Sequence, residues 1–138
     1  MRLTRHTDYA LRVLLQAASL PGQRLSIAGV AETHGISKNH AMKVVNLLAR
    51  HGLLATVRGR GGGLMLGRPA EDIRLGEVVR LTEPELQAAD CATCVLRASC
   101  GLTPVLGAAM AAFLKVLDDT TLADVAKDSR WPAAGVAA

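Results

Sequence analysis

The sequence predicts a mainly α-helical chain: a winged helix-turn-helix with a two-stranded wing, then a cysteine-bearing loop and a long C-terminal dimerisation helix. Three observations carry that reading. Apolar residues recur at helical spacing in segments bounded by Pro-Gly and Gly breaks. A cationic glycine turn, Arg58-Gly59-Arg60-Gly61-Gly62-Gly63, separates two short apolar runs. The basic residues also crowd into one half. Residues 1–68 hold ten Lys and Arg against Asp8 and Glu32, a balance of +8, whereas residues 69–138 hold six against ten Asp and Glu, a balance of −4.

Thr7 is a natural N-cap for a first helix over Asp8–Ser19, with Asp8 in the first turn, where the helix dipole favours an anion. Tyr9, Val13, Leu14 and Ala17 form its apolar stripe, and Pro21-Gly22 ends it. Ser26 caps a short helix over Ile27–His34 that Gly35 stops. Ser37 caps the next helix, Lys38–His51, closed by Gly52, with an apolar stripe of Met42, Val45, Leu48 and Ala49. Leu53–Val57 and Leu64–Leu66 read as the strands of a hairpin around the glycine turn. Ile73–Leu81 reads as an amphipathic helix with Leu75, Val78 and Val79 inward, broken at Glu83-Pro84. Pro104–Leu117 is apolar nearly all round, with Lys115 its only charge. Such a helix needs burial on more than one side, and the same helix of a second subunit is the expected cover. Thr121 caps a last helix, Leu122–Lys127, and the tail Trp131–Ala138 is expected to fray.

At 138 residues the chain can bury one substantial core, and with Tyr9, Phe113 and Trp131 as its aromatics that core is aliphatic. No apolar run approaches the ~18 residues of a membrane span, and Arg2, Arg5, His6, Asp8 and Arg12 interrupt any signal-peptide core, so a cytoplasmic protein without membrane partners is expected. The charge split points to a polyanion partner for residues 1–68 alone. Two helices joined across Gly35 can insert the second into a DNA major groove by its N-terminus. That places Ser37, Lys38, Asn39, His40 and Lys43 at phosphates and base edges, where Asn pairs well with adenine. In the wing, Arg58 and Arg60 supply charge able to reach the minor groove. Gly62 permits close approach of the backbone, and Tyr9 of the first helix completes the DNA-facing set. A nucleotide-phosphate loop is the weaker alternative, because the GxxxxGK[S/T] pattern and its strand-turn-helix context are both missing. No paired acid–base residues suggest an enzyme. The expected domains are a winged-helix DNA-binding domain over 1–68 and a cysteine-loop and dimerisation-helix region over 69–138.

All three cysteines, Cys91, Cys94 and Cys100, lie within ten residues. A structural disulfide fits poorly with an odd count in a cytoplasmic chain. A thiol redox switch leaves one cysteine unexplained. A metal or iron–sulfur site uses all three, and Arg97 would offset their charge. Zinc is open as well, in a zinc-stabilised structural DNA-binding protein, but every histidine (His6, His34, His40, His51) lies outside the loop. Asp90 and Glu85 are local oxygen donors, and Asp8 is one from a partner subunit or adjacent helix.

The opening Arg2-Leu3-Thr4 and Thr7-Asp8-Tyr9-Ala10-Leu11-Arg12 resemble a known family. So do Gly35-Ile36-Ser37-Lys38-Asn39-His40, Val57–Leu64, the three-cysteine loop, Leu81-Thr82-Glu83-Pro84 and Thr121-Leu122-Ala123-Asp124. Over Met1 to about Asp128 the chain resembles the winged-helix iron–sulfur transcriptional regulators of IscR/RirA/NsrR type, most of all their nitric-oxide-sensitive repressors. The resemblance implies a homodimer on double-stranded operator DNA, with one iron–sulfur cluster per subunit, 4Fe-4S or alternatively 2Fe-2S. It implies Cys91, Cys94 and Cys100 as ligands, with Asp8 of the other subunit as the fourth. Gly101-Leu102-Thr103 follows Cys100, so the variant with a histidine ligand there does not fit. Cluster damage by nitric oxide would release the repressor, with Asp8 and its i,i+4 neighbour Arg12 coupling cluster to helix. Sensing of iron or cluster status is the alternative within the family.

Overall fold

The computed structural model describes residues 2–131. Its elements run α1 (Arg5–Ser19), α2 (Ile27–His34), α3 (Lys38–Arg50), β1 (Leu54–Val57), β2 (Gly63–Leu66), a 3₁₀ turn (Ala70–Asp72), α4 (Leu75–Thr82), α5 (Leu102–Asp118) and α6 (Leu122–Asp128). The expected mainly α fold with a two-stranded wing is the one observed. Strands β1 and β2 pair antiparallel in the register Leu54↔Leu66 to Val57↔Gly63.

The helix-turn-helix follows its local signals. Ser26 accepts from Gly29 N, Gly35 turns into the left-handed region (φ 64°), and Ser37 accepts from His40 N. The start of α1 does not. Thr4, not Thr7, is its N-cap, and the Thr4 side chain accepts from Thr7 N at 3.3 Å. Thr7 is buried inside the first turn. Two threonines three residues apart offer equal local caps, and a distant contact selects the first: Glu83 accepts from Thr4 N at 2.8 Å and from Thr4 Oγ1 at 3.2 Å.

Two other boundaries shift for physical reasons. Ile73 is extended and buried, not helical: Leu122 N donates to Ile73 O at 2.8 Å and Leu75 N to Thr120 O at 3.0 Å, so backbone pairing claims this residue before α4 begins. Helix α5 starts at Leu102, with Pro104 in its first turn, where the missing N–H costs no helical hydrogen bond.

The core is aliphatic, as the composition requires. Ala10, Val13 and Leu14 of α1 meet Val30 of α2, Val44, Val45 and Leu48 of α3, and Leu64 of the wing. Ile73, Val78 and Leu122 belong to the same cluster. Fully burying each valine, leucine or isoleucine of this set contributes roughly 1.5–3 kcal/mol. Helix α6 packs back on α1, and α5 packs along α4, joined by Arg80 Nη2 to Asp118 Oδ2 at 2.7 Å. No residue of α5 is buried, and Leu102, Val105 and Val116 are exposed. Trp131, expected to fray, instead meets His34 edge-on at 5.8 Å; residues 132–138 lie outside the described residues.

Candidate functional site

The exposed cations of residues 1–68 include Lys38 and Lys43 on α3 and Arg58 and Arg60 in the wing. Along α3 the buried residues are Ala41, Val44, Val45 and Leu48, at i, i+3, i+4 and i+7. That stripe keeps Val45 and Leu48 from the one read from sequence but takes Ala41 and Val44 in place of Met42 and Ala49, and it turns Met42 outward at 44% exposure. Lys38, Asn39, Met42, Lys43 and Asn46 are therefore all exposed. Met42, read from sequence as part of the apolar stripe, is instead exposed, as Asn46 is. Their signal was present, because the competing stripe through Ala41 and Val44 has equally good helical spacing.

His40 is half-buried where α3 begins. Its ring stacks on His6 (centroids 5.9 Å apart, planes at 14°) and meets Tyr9 edge-on at 4.8 Å. Both partners come from the first turn of α1. The first turn of α1 and the first turn of α3 are thus in direct ring contact, and Tyr9 supports His40. Burial, with the nearby His40 and Lys43 charges, holds His6 below the ordinary histidine range despite Glu83. In the wing, Arg58 and Arg60 are exposed. Gly62 is fixed by the turn: a Cβ there would stand 2.2 Å from Val57 O and 2.8 Å from Gly59 O.

The acid expected to couple the two halves is paired as anticipated. Arg12 Nε donates to Asp8 Oδ1 at 2.9 Å, and Arg12 Nη2 lies 2.8 Å from Asp8 Oδ2, a two-point contact across one helical turn. Its exposure keeps the pair weak, at about 0.5 kcal/mol.

The cysteine loop leaves α4 just past Glu83 and enters α5. It is a string of turns: Cys94 N donates to Cys91 O at 3.4 Å, Arg97 N to Cys94 O at 3.2 Å, and Ser99 N to Leu96 O at 2.9 Å. All three thiols are free, with Cys94 exposed and Cys91 and Cys100 half-buried. Asp90 is turned to its own loop, accepting from Ala92 N at 3.1 Å. Cys100 stands at the start of α5, where hydrogen bonds from Leu102 and Thr103 hold its thiol below the usual range. Among the described residues no three His, Cys, Asp or Glu side chains converge on one point within the chain. The chain therefore offers a donor set: three unpaired soft sulfurs, one biased toward thiolate. That chemistry fits an iron–sulfur cluster.

Sequence reasoning gave Glu83 no role of its own: it stood only as part of a helix break and of a family-like segment. Burial raises its carboxyl, but hydrogen bonds from Thr7 and Thr4, with His6 nearby, outweigh this and hold it below the ordinary range. It ties the root of the cysteine loop to the first turn of α1. Nothing local announced it, because its partner lies 79 residues away.

Comparison with known proteins agrees with this architecture. The Rrf2 family model, described as an iron-dependent transcriptional regulator, matches residues 3–128. The HTH-type transcriptional regulator NsrR of Bacillus subtilis (strain 168) is 48% identical over 134 residues, 93% of this chain and 92% of that protein. The structure of IscR from T. potens superposes with a TM-score of 0.72 at 27% identity, over 94% of this chain and 89% of that one. CymR, the global cysteine regulator of B. subtilis, shares the fold with a TM-score of 0.78 at 23% identity, over 94% of this chain and 99% of that one. No helix among the described residues is long and apolar enough to cross a membrane. These relatives are regulators of transcription and not enzymes, and with the winged helix, the three-cysteine loop and a match over nearly the whole chain, this protein belongs to the Rrf2 family of transcriptional regulators.

Proposed function

We propose that the protein is a homodimeric repressor that holds operator DNA while an iron–sulfur cluster is intact and releases it when nitric oxide damages that cluster. The observation that carries this reading is the loop of three free thiols, rooted at Glu83 on the same short stretch that caps α1. Residues 1–68 act as the DNA-binding domain and residues 69–138 as the cluster-binding and dimerisation region.

Cys91, Cys94 and Cys100 would hold the cluster, with Asp8 of the partner subunit as the fourth ligand, and the four-iron form is preferred on family resemblance. When bound, such a cluster supplies iron that reacts with nitric oxide. The chain's own residues then transmit the change. An Asp8 freed from ligation closes on Arg12, as in this structure. Asp8 shares its helical turn with His6 and Tyr9, and those rings touch His40 at the head of α3. A shift of α1 would therefore be felt at the head of α3 through those rings. Across the dimer, the exposed Leu102, Val105 and Val116 of α5 supply apolar surface for the partner helix. On DNA, Asn39, Lys43, Met42 and Asn46 face the major groove, with Ser37, Lys38 and His40 at the phosphates and Arg58 and Arg60 at the minor groove.

The test is anaerobic purification with iron, sulfide and zinc analysis. A nitric-oxide titration of the complex with a duplex selected by the protein from a random pool follows. We expect visible absorbance that bleaches in step with DNA release. A complex that survives full bleaching overturns the reading. The family's iron dependence favours a second signal, iron or cluster status, for which chelation alone releases the DNA. Zinc without visible absorbance would instead mark a structural metal.

A further inference from the structure

The wing turn is anchored from outside its own hairpin. Leu25, in the connection between α1 and α2, exchanges backbone hydrogen bonds with Leu64: Leu25 N donates to Leu64 O at 2.9 Å, and Leu64 N to Leu25 O at 2.6 Å. The connection thus lies beside β2 as an extra rung of the sheet. Gly63 is pressed against it, since a Cβ there would stand 2.6 Å from Leu25 O and 3.1 Å from Arg24 Cβ. From this fixed base the Arg24 guanidinium extends to the tip of the wing and donates from Nη1 to the carbonyl of Gly61.

The tip needs such a restraint. Gly59 and Gly61 occupy positive φ (90° and 71°), and the backbone bond of the turn is Gly62 N to Gly59 O at 3.0 Å. A turn so rich in glycine has many conformations open to it, and Arg58 and Arg60 within it are exposed. A wing that wanders must be ordered when it meets DNA, and that ordering weakens binding.

We infer that Arg24 is a wing-positioning residue: by holding the Gly61 carbonyl it fixes where Arg58 and Arg60 are presented to DNA. It acts through the wing and not through a DNA contact of its own. The inference rests on the reading of the wing as a DNA contact. Read as sequence, Arg24 was one more positive charge in a basic half. The structure gives it a particular acceptor 37 residues away.

A double-mutant cycle on the anaerobically purified full chain tests this, with a labelled duplex selected from a random pool by the unsubstituted protein. Arg24→Ala should bind about fivefold more weakly, the weight of one exposed charge-assisted hydrogen bond. The same substitution should cost little in an Arg58→Ala/Arg60→Ala background, because its effect passes through those residues. Without DNA, Arg24→Ala should speed tryptic cleavage after Arg58 and Arg60, and Arg24→Lys should restore both behaviours. An equal loss in both backgrounds means that Arg24 touches DNA itself, and overturns the inference. So does unchanged binding of Arg24→Ala where the Arg58/Arg60 pair is costly. If the Arg58/Arg60 pair itself binds normally, the wing reading fails and the inference with it. Faster cleavage of Arg24→Ala would then still register Arg24's hold on the turn, so the two failures are distinguishable.

Discussion

Replacing Glu83 by alanine removes the carboxylate that accepts from both the backbone and the hydroxyl of Thr4. Hydrogen bonds to a charged acceptor contribute roughly 1.5–3 kcal/mol each when well shielded. Both of these are only part-buried, and Thr4 can recruit water, so a combined loss of about 2 kcal/mol is expected. For a chain of this size that lowers the melting temperature by roughly 6–8 °C. The cost should track pH. A carboxyl held below its ordinary value in the folded state contributes stability above the unfolded value, and that contribution is lost as pH falls through the folded one. The gap between wild type and Glu83→Ala should therefore be full at neutral pH and close progressively below the usual glutamate range.

Thermal melts followed by circular dichroism, at one protein concentration and on cluster-free protein, read this out. Glu83→Gln keeps an acceptor without its charge and should lose about half as much. Thr4→Val removes the hydroxyl donor, and its combination with Glu83→Ala should be clearly less than additive. A Glu83→Ala melt within a degree of wild type across the pH series, or strict additivity with Thr4→Val, would refute the argument that Glu83 selects the N-cap of α1.

Other predictions probe the remaining elements. Leu14→Ala opens a cavity at a fully buried position and should cost about 3 kcal/mol by denaturant unfolding. Val105→Asp places a charge on the exposed face of α5 and should shift sedimentation from dimer to monomer without lowering helix content. Asn39→Ala should lose about 1–3 kcal/mol on the selected duplex and relax base preference at one position, while its affinity for random DNA stays level. Cys91→Ser should abolish visible absorbance after anaerobic purification yet leave the apo-protein melt unchanged.

What the sequence made legible was local. Ser26, Gly35 and Ser37 announced the two helices of the helix-turn-helix because their caps are made within three residues. The wing could be read from its glycines, and the thiol loop from its spacing. The features that escaped depend on distant partners. Thr4 outcompetes Thr7 as a cap because of Glu83. Ile73 leaves the helical pattern because Leu122 and Thr120 pair with its neighbourhood. The stripe of α3 lay between two equally periodic readings, and packing against α1 and α2 decided it in favour of Ala41 and Val44, freeing Met42.

These long-range choices converge on one place. A single turn of α1 carries Thr4 at its cap, held by Glu83 at the root of the thiol loop, and Asp8, held by Arg12. The same turn carries His6 and Tyr9 against His40 of the recognition helix. The chain's own loop thus bears, through Glu83, on a helix end whose His6 and Tyr9 rings meet His40 of α3, and in the proposed mechanism Asp8 would bring a second input to the same end. Coupling between sites requires an element that both can bias, and a helix terminus with exchangeable caps is such an element, since losing one cap shifts it by about a kilocalorie. The ion pair Asp8–Arg12 is too exposed to act as a lock. That weakness would suit it to exchange, because under the proposed mechanism Asp8 must leave Arg12 to ligate the partner's cluster and should be held only lightly.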